Sequence, residues 1–438
     1  MSAAEDHRDG GWNGRSIYIL VILTLVSTLN YFDRSVMSLV LPLIKREFGV
    51  SDTTLGVITS LIVFYAIFGI PIAWAAERWS RRNVVAIGLF FWSLMTVVTG
   101  FAGSVWQLAT CRFLMGVGEG CGLAPSQSML GDVFSRARRP LALAILTTAS
   151  SISLIFYSPI AGRIADSYGW RAAFLLAGAP GLVLAVLFVL TVREPRRRAA
   201  AATSDTPATP AATARPAGLV ETLRFLAGSR AYLCCLAGTM LMGVYLYGSS
   251  AWTSMFFVRV RHFSVHEVGE WILPLRGAMS ALGIVLGGLI ASRLDRMDER
   301  WRCWVAALAC VSMAPFEYLY IFADSKAVWL PAFMVANLFS IMHQGPIYAV
   351  YLSVAKPRMR SVSVAGALLG ATVAGQFGGP ILIGRLNDLM AASFGQEAIR
   401  YSWLVVVGSV VLGGLCYLLA SRYLAADVAR ASDGTVEA

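Results

Sequence analysis

The chain has 438 residues, of which 57% are apolar and only 14% are charged. A soluble globular protein usually carries about 25% charged residues, so a soluble fold of this length would have too few charges for its surface. The composition therefore argues against a cytosolic enzyme and against any disordered or fibrous class. It favours a polytopic helical membrane protein, because lipid tolerates apolar surface everywhere.

The net charge of +11 could indicate a partner such as nucleic acid. However, Lys and Arg lie in short clusters between apolar runs and form no basic stripe or nucleic-acid-binding motif. The seven cysteines fall in or near apolar runs, without metal-ligand spacing or a disulfide framework. We therefore expect packing cysteines, no metal, no cofactor and no nucleic acid. Residues 1–15 are polar, and the first apolar run is too long for a cleavable signal peptide.

Apolar runs are the main structural signal, since a helix needs about 20 apolar residues to cross a membrane. The sequence predicts an all-α membrane protein with twelve transmembrane helices. The runs, numbered 1 to 12 in chain order, are 16–42, 52–76, 83–102, 105–132, 140–162, 172–192, 230–258, 267–291, 303–322, 327–353, 362–384 and 401–423.

The distribution of basic residues predicts the orientation. With the N-terminus inside, the cytoplasmic segments hold 24 Lys and Arg residues and the outer segments hold nine. This asymmetry follows the positive-inside rule, so we expect a multi-pass protein of the plasma (inner) membrane with both termini in the cytoplasm. The three remaining basic residues, Arg34, Arg112 and Arg276, lie inside runs.

The longest interruption, 193–229, contains an Ala/Thr/Pro tract that is typical of a flexible linker. Its last part, 218–228, could form a short interfacial helix. The predicted organisation is a cytoplasmic tail, a six-helix bundle, the linker, a second six-helix bundle and a second cytoplasmic tail. These segments are 1–15, 16–192, 193–229, 230–424 and 425–438.

The two bundles share sequence features at one offset. GRIAD at 162–166 recurs as GRLND at 384–388, an offset of 222 residues. At the same offset, Arg136 and Arg138 recur as Arg358 and Arg360. Two pseudo-symmetric halves with substrate between them are typical of secondary transporters.

The loop between runs 2 and 3 carries a known signature. This architecture resembles the major facilitator superfamily, whose signature has the form G-x-x-x-D-R-x-G-R-R. Residues 73–82 keep an acid and three arginines, with Ala in place of the first Gly and Glu in place of Asp. The counterpart at 288–293 has Ser292 in place of the acid. The resemblance implies the superfamily's fold of two pseudo-symmetric six-helix halves.

The first half carries further motifs: NYFDR at 30–34, RFLMGVGE at 112–119, Pro125, Gly169-Trp170-Arg171, Pro180-Gly181 and Arg193-Glu194-Pro195. In these motifs the chain resembles the spinster-like branch of that superfamily, most strongly over residues 28–195. That resemblance implies a transporter of lysophospholipids or phosphorylated sphingoid bases. Some transporters of this branch are proton-coupled. An organic-anion symporter branch also carries Asp-Arg in span 1 and Gly-x-x-Glu in span 4.

Five ionisable residues are predicted deep within runs: Asp33, Arg34, Arg112, Glu119 and Arg276. Each costs roughly 2.5–3.5 kcal/mol at mid-membrane and persists where it is paired or lines a wet cavity. At 1.5 Å per residue, Asp33 lies about 26 Å from the inner end. Glu119 and Arg112 lie at about 20 and 30 Å, on one face of their helix.

These charges predict a proton site. Low-dielectric surroundings favour the uncharged form of a carboxyl group, and a nearby Arg112 favours the charged form. We therefore predict that Asp33 and Glu119, with Arg112 and Arg34, couple proton movement to alternating access. The alternative is a static ion-pair network that holds spans 1 and 4 together.

With all five groups ionised the cluster is net positive, which suits an anionic or zwitterionic headgroup. For Arg276 the alternative is that its side chain extends toward the membrane boundary to reach water. For the aromatic residues Tyr245 and Trp252 the alternative is that they only pack against neighbouring helices. Glu317 is placed near the outer end, where water could reach it. The predicted substrate-binding residues are Arg276, Glu119, Arg112, Tyr245, Trp252, His343, Gln344 and Gln376.

The superfamily resemblance implies a cytoplasmic latch made by Glu77, Arg78, Arg82 and Asp132. Charge-assisted bonds between Arg78 and Asp132 could hold that side shut. The alternative is that these arginines only satisfy the positive-inside rule.

Together these features predict a proton-coupled secondary transporter that moves an amphiphilic lysolipid or phosphorylated sphingoid-like molecule by alternating access. The first alternative is a proton symporter of small organic anions or sugar acids. The second is a membrane enzyme or receptor, but no nucleophile elbow, metal cluster or phosphate-binding loop appears in the sequence. The expected partners are the substrate, protons and membrane lipids. A monomer would suffice, since no oligomerisation signal appears.

Overall fold

A computed structural model describes residues 12–135, 138–194 and 218–432, and over these residues the chain is helical with no strand. Most of the predicted linker and both chain ends lie outside the described residues. The part of the linker that is described includes a helix at Leu219–Ala227, where the sequence suggested a short interfacial helix.

Twenty α-helices make up most of the described chain. Three π-helical turns (Ser153–Tyr157, Val268–Ile272 and Val373–Gly378) and three short 3-10 turns (Leu61–Val63, Pro357–Met359 and Gly395–Glu397) link some of them. The α-helices are α1 (Gly14–Phe48), α2 (Asp52–Ser60), α3 (Phe64–Arg78), α4 (Arg81–Thr99), α5 (Val105–Glu119), α6 (Leu123–Val133), α7 (Arg139–Thr147), α8 (Ala149–Ile152), α9 (Ser158–Tyr168), α10 (Trp170–Thr191), α11 (Leu219–Ala227), α12 (Arg230–Val260), α13 (Val265–Glu267), α14 (Leu273–Leu294), α15 (Trp301–Phe322), α16 (Lys326–Met342), α17 (Gln344–Ser353), α18 (Arg360–Thr372), α19 (Gly379–Phe394) and α20 (Ala398–Ser432).

The helices coincide with the predicted apolar runs, and the all-α fold class is confirmed. Within the described residues, ten helical stretches are long and apolar enough to cross a membrane. Run 4 is not among them because a turn divides it into α5 and α6. Runs 11 and 12 fall within the single stretch Pro357–Ser432. The described helices are therefore consistent with twelve crossings.

Capping groups determine where α1 begins and ends. The backbone N–H of Ser16 donates to the Asn13 side chain at 2.8 Å, and the Asn13 N–H donates to the Ser16 hydroxyl at 3.0 Å. The helix ends at Gly49, whose φ of 61° is in the left-handed region that glycine adopts without a Cβ clash. The helix thus extends to Phe48, beyond the predicted end of run 1 at residue 42.

The described residues fall into two compact units. Unit 1 comprises 12–135, 138–194 and 250–277, and unit 2 comprises 218–249 and 278–432. Unit 1 thus includes the end of α12, all of α13 and the start of α14, which the sequence assigned to the second bundle. In unit 2, α20 continues to Ser432, past the predicted end of that bundle at 424. Asp427 holds this extension against the start of α12, because it accepts hydrogen bonds from the Ser229 hydroxyl at 2.7 Å and the Ala231 N–H at 2.8 Å.

The interruptions in the helices follow the sequence repeat. A shift of 222 residues carries the turn at 120–122, between α5 and α6, onto 342–344, where α16 gives way to α17. The same shift carries the π turn Ser153–Tyr157 onto 375–379, which overlaps the π turn Val373–Gly378. Turns of this kind are frequent at functional sites. The repeat therefore includes the places where each half departs from regular helix.

Two glycines allow close backbone contact within unit 1. A Cβ on Gly269, in the turn before α14, would lie 2.6 Å from the Ser158 carbonyl oxygen and 3.0 Å from the Cα of Gly162 in α9. A side chain here must therefore push two backbones apart. By contrast, Gly288 in α14 has nothing within 4 Å of a Cβ.

We predict that Gly269→Val lowers the free energy of unfolding by about 1–3 kcal/mol, the usual cost of overpacking. The matched variant Gly288→Val should change it by less than about 0.5 kcal/mol. Unfolding of both purified variants in mixed micelles checks this. Equal stability losses would show that the contact between α9 and the 268–272 turn is not tight.

Candidate functional site

Four of the predicted intramembrane charges meet in unit 1. Asp33 and Arg34 lie in α1, and Arg112 and Glu119 lie in α5. The exposed fractions of Asp33, Arg112 and Glu119 are only 1%, 2% and 3%. Protein rather than lipid surrounds them, so the helices hold ionisable groups where their charge can be stabilised only by neighbours.

Arg34 is the residue that pairs with Glu119. Its Nε and Nη2 atoms donate to Oε2 of Glu119 at 2.9 and 2.5 Å. The guanidinium also lies 4.1 Å from the ring centroid of Tyr65 and 5.9 Å from that of Tyr31, where cation–π attraction adds to the ion pair. The carboxylate is thus held between spans 1 and 4 by a partly exposed arginine.

Arg112 approaches Asp33 without forming an ion pair with its carboxylate. Its Nη1 donates to the Asp33 backbone carbonyl at 3.4 Å, and its guanidinium lies 4.9 Å from the ring centroid of Phe174. Nε and Nη2 of Arg112, Oδ1 of Asp33 and Oε1 of Glu119 are buried without a hydrogen-bond partner among the described residues. A buried unsatisfied polar atom costs roughly 1–3 kcal/mol. The cluster therefore has unused capacity for a proton, water or a polar ligand.

The other predicted substrate residues are divided between the units. In unit 1, Trp252 is fully buried, and Arg276, which is 9% exposed, donates to the Thr253 hydroxyl. In unit 2, the Tyr245 hydroxyl donates to Oε1 of Glu317 at 2.5 Å, and the Trp403 indole donates to Oε2 at 3.0 Å. Glu317 is 1% exposed, so the expectation that it lies in water is wrong.

His343 and Gln344 lie at the break between α16 and α17 and line a cavity of roughly 70 Å³ in unit 2. Gln376 is 7% exposed and lies in the π turn Val373–Gly378. It is not among the residues that line the cavity.

The predicted latch has a different arrangement from the one expected. Asp132 accepts from Nη1 of Arg81 at 2.6 Å, and the sequence had assigned this role to Arg78. Arg82 donates to the Val189 carbonyl, Arg78 ends α3, and the side chain of Glu77 lies outside the described residues. Arg81 is better placed than Arg78 to pair with Asp132, because it is the first residue of α4 and is only 2% exposed.

Glu194 completes this network, and sequence reasoning missed it as well. It accepts from the Ser80 hydroxyl at 2.6 Å, the Arg82 N–H at 2.8 Å and Nε of Arg81 at 3.3 Å. Its position in the Arg-Glu-Pro motif after run 6 was the available signal. All these residues belong to unit 1, so the network braces α4 against α6 and the end of α10.

The pKa of Glu194 supplies a pH test of this brace. Burial raises the pKa, but the hydrogen bonds from Ser80, Arg82 and Arg81 outweigh burial and lower it below the usual value. A carboxyl with a lowered folded-state pKa contributes stability that is present above its unfolded-state pKa and is lost as the pH falls through the folded-state value. We predict that Glu194→Gln lowers the melting temperature at pH 7, and that the difference from wild type shrinks below about pH 4.5.

Melting curves of both proteins between pH 7 and pH 3.5 measure this difference. A difference that stays constant over that range would contradict an ionised Glu194 in the brace.

A second ion-pair group lies at the predicted outer end of unit 1. Asp52, at the start of α2, is 2% exposed and accepts two hydrogen bonds from Arg259 of α12, at 2.6 and 2.7 Å. Lys45 of α1 also pairs with Asp52. The sequence offered no signal for this group, since Asp52 and Arg259 are 207 residues apart.

Comparisons with known proteins extend this description. The family model described as Major Facilitator Superfamily matches residues 23–380. An MFS-type efflux pump of Mycolicibacterium smegmatis is 30% identical, covering 97% of this chain and 96% of the pump. Protein spinster homolog 1 of Homo sapiens is 27% identical, over 95% of this chain and 83% of the homolog. A Bacillus subtilis protein named "Probable galactarate/D-glucarate transporter" is 25% identical, over 63% of this chain and 65% of that protein.

Among solved structures, the chain is similar to a bacterial homolog of the human lysosomal transporter spinster in an inward-facing, unoccupied conformation. The TM-score is 0.84 at 24% identity, and the match covers 95% of this chain and 99% of the other. This likeness concerns the fold, and it agrees with the family match.

Proposed function

Because the chain belongs to the Major Facilitator Superfamily, we propose that it is a proton-coupled secondary transporter that works by alternating access. Its relatives and its fold are those of transporters rather than enzymes. It is a multi-pass membrane protein with a small-molecule substrate. The proton coupling, the substrate class and the orientation are our proposals.

The observation that carries the proposal is the buried cluster of Asp33, Arg34, Arg112 and Glu119. Ionisable groups within membrane helices are rare and mark proton relays and substrate pathways. Here two carboxyl groups lie near two guanidinium groups, and both carboxyl groups have an unsatisfied oxygen. Such a cluster can change its protonation at the cost of rearranging a few hydrogen bonds. A proton bound there would change the cost of closing the surrounding protein.

For the substrate we propose an amphiphilic anion or zwitterion, such as a lysolipid or a phosphorylated sphingoid base. Two features favour it: the similarity to spinster proteins and the unsatisfied donors of Arg112. Arg276, Trp252 and Tyr245 are proposed to contact the substrate, together with His343, Gln344 and Gln376. We further propose the plasma membrane as location, with both termini in the cytoplasm, from the distribution of Lys and Arg.

A small organic anion or sugar acid is the second candidate substrate. It is favoured by the similarity to the Bacillus subtilis protein, although that match spans less of the chain than the others. The same cationic groups would suit its carboxylates. The two candidates differ in the length of the apolar tail, which makes them separable by experiment.

The test is uptake by proteoliposomes with and without an imposed pH gradient. Radiolabelled lysophosphatidylglycerol, with the outer leaflet cleared by albumin, is compared with radiolabelled galactarate. We expect the pH gradient to accelerate lysophosphatidylglycerol uptake and to leave galactarate outside. Accelerated galactarate uptake alone would establish the second candidate, and a gradient without effect on either would refute proton coupling.

A further inference from the structure

The break in span 10 opens into a cavity that is lined, among the described residues, by no Asp, Glu, Lys or Arg side chain. α16 ends at Met342, α17 begins at Gln344, and His343 forms the turn between them. The cavity of roughly 70 Å³ lies within unit 2 and is lined by residues of α12, α17 and α18 as well as by His343.

This break is the repeat-equivalent of the break beside Glu119. The offset of 222 residues relates the turn after Glu119 to the turn at His343. In transporters built from repeats, interrupted helices at corresponding positions of the two halves mark the binding site. The first half presents a carboxylate at its break, and the second half presents an imidazole and an amide.

The polar groups around the cavity are already partly organised. The Thr239 hydroxyl lies 2.7 Å from the Tyr351 hydroxyl and 3.2 Å from that of Tyr417. The imidazole of His343 stacks on Tyr417, with ring centroids 5.9 Å apart and an interplanar angle of 23°. His343 is only 5% exposed, and its Nδ1 atom is buried without a hydrogen bond to the described residues. The imidazole also lies close to the Ser340 backbone, but Nδ1 makes no hydrogen bond of normal geometry and can therefore bind a ligand group.

The chemistry of this lining selects against a charged ligand group. A buried anion or cation needs an opposite charge to offset its desolvation, and the lining offers none. Hydroxyl, imidazole and amide groups can donate and accept in turn, which matches a ligand hydroxyl.

We propose that this cavity binds an uncharged, hydroxyl-bearing part of the transported molecule and thereby selects for that part. This inference rests on the proposed function in that the molecule is a lysolipid or a sugar acid. The hydroxyl groups could come from either source, from a glycerol headgroup or from a sugar-acid backbone.

Two matched ligand pairs test the proposal. Lysophosphatidylglycerol and lysophosphatidylethanol carry the same charge, tail and backbone hydroxyl, but the second lacks the two headgroup hydroxyls. Galactarate and adipate are six-carbon dicarboxylates, and only galactarate has hydroxyls. Binding of each to the purified full-length protein is measured by thermophoresis. We expect the hydroxyl-bearing member of one pair to bind about tenfold more tightly, consistent with one or two neutral hydrogen bonds.

Substitutions assign the preference to the cavity. His343→Phe keeps the stacking on Tyr417 and removes both nitrogens, and Thr239→Val removes a hydroxyl at nearly constant volume. Each should reduce the tenfold preference to about twofold or less, because it weakens binding of the ligand that carries the additional hydroxyls more than binding of its partner in the pair. Tyr232→Phe is the matched control, since its hydroxyl donates to the Ser363 carbonyl in the same unit and does not line the cavity.

The outcomes are distinguishable. Wild type that binds a pair without preferring its hydroxyl-bearing member overturns the cavity proposal alone. So does a preference that persists in both cavity variants. Failure of wild type to bind either pair overturns the proposed substrate classes, and the cavity proposal with them. The pair that shows a cavity-dependent preference identifies the source of the hydroxyl groups.

Discussion

Asp33→Asn should abolish acceleration of uptake by a pH gradient while the protein remains folded. The carboxyl is 1% exposed, and Arg112 donates to the Asp33 backbone carbonyl rather than to the side chain. An amide of the same shape therefore keeps this hydrogen bond, although the buried Arg112 loses a nearby negative charge. Coupling energies of 1–3 kcal/mol correspond to factors of about 5–150. We therefore expect gradient-driven uptake in proteoliposomes to fall at least about tenfold.

Glu119→Gln should have the same effect on coupling and a larger effect on stability. It removes the anionic charge that faces Arg34, yet leaves an amide oxygen that can accept from the guanidinium. Asp166→Asn, which changes an exposed acid of α9 in the same unit, is the matched control and should couple normally. Substrate counterflow without a gradient should persist in all three variants, since it needs no net proton movement. Normal coupling in both Asp33→Asn and Glu119→Gln would reject the proton site.

Asp52→Asn should cause the largest loss of stability at the predicted outer end. The substitution leaves Arg259 and Lys45 facing a neutral amide. Removing one partner of a buried ion pair costs about 3–5 kcal/mol, and the lower end applies because the Arg259 and Lys45 side chains are 16% and 34% exposed. We expect a loss of about 3 kcal/mol in the free energy of unfolding, measured by denaturation in mixed micelles.

A more exposed group of unit 1, in which Arg163 and His266 both contact Glu270, supplies the control. Arg163 and Glu270 are 2.5 Å apart, with side-chain exposures of 64% and 28%. Exposed ion pairs contribute roughly 0–1 kcal/mol, so Glu270→Gln should cost no more than about 1 kcal/mol. Similar losses for Asp52→Asn and Glu270→Gln would mean that burial of Asp52 does not strengthen its pairing.

Periodicity and composition were enough to predict the helical elements and the charged residues among them. Long apolar runs leave few alternatives to membrane helices, so the runs coincide with helices even where turns interrupt them. The internal repeat was visible because short identical motifs recur at one offset. The structure adds that the helix breaks recur at the same offset, which sequence alone did not reveal.

The partner of a charged side chain was harder to predict than the helix in which that side chain lies. Helical spacing puts Arg34 about 100° from Asp33, but it does not say which arginine reaches Glu119. The same limit applied at the network around Glu194, where Arg78, Arg81 and Arg82 are close in sequence and the ion pair observed at Asp132 is with Arg81. Tertiary packing determines which partner a long flexible side chain contacts. Contacts such as Asp52 with Arg259 have no local pattern at all.

These results give the two halves different chemical roles. Unit 1 holds carboxyl and guanidinium groups at its helix break, and unit 2 holds an imidazole, an amide and hydroxyls at the equivalent break. We infer that the proposed proton site belongs to the first half, while the second half recognises uncharged groups of the substrate. Asp33→Asn and His343→Phe should therefore affect different quantities, the first the response to a pH gradient and the second the preference for hydroxyl groups.

The central claim is that substrate movement carries protons through the Asp33–Glu119 cluster. Its most direct test is a pH-sensitive dye trapped inside proteoliposomes that contain the wild-type protein, with substrate added outside and no imposed gradient. We predict that substrate entry acidifies the interior, and that liposomes with Asp33→Asn show no acidification. Substrate entry into wild-type liposomes with no change in internal pH would contradict the claim.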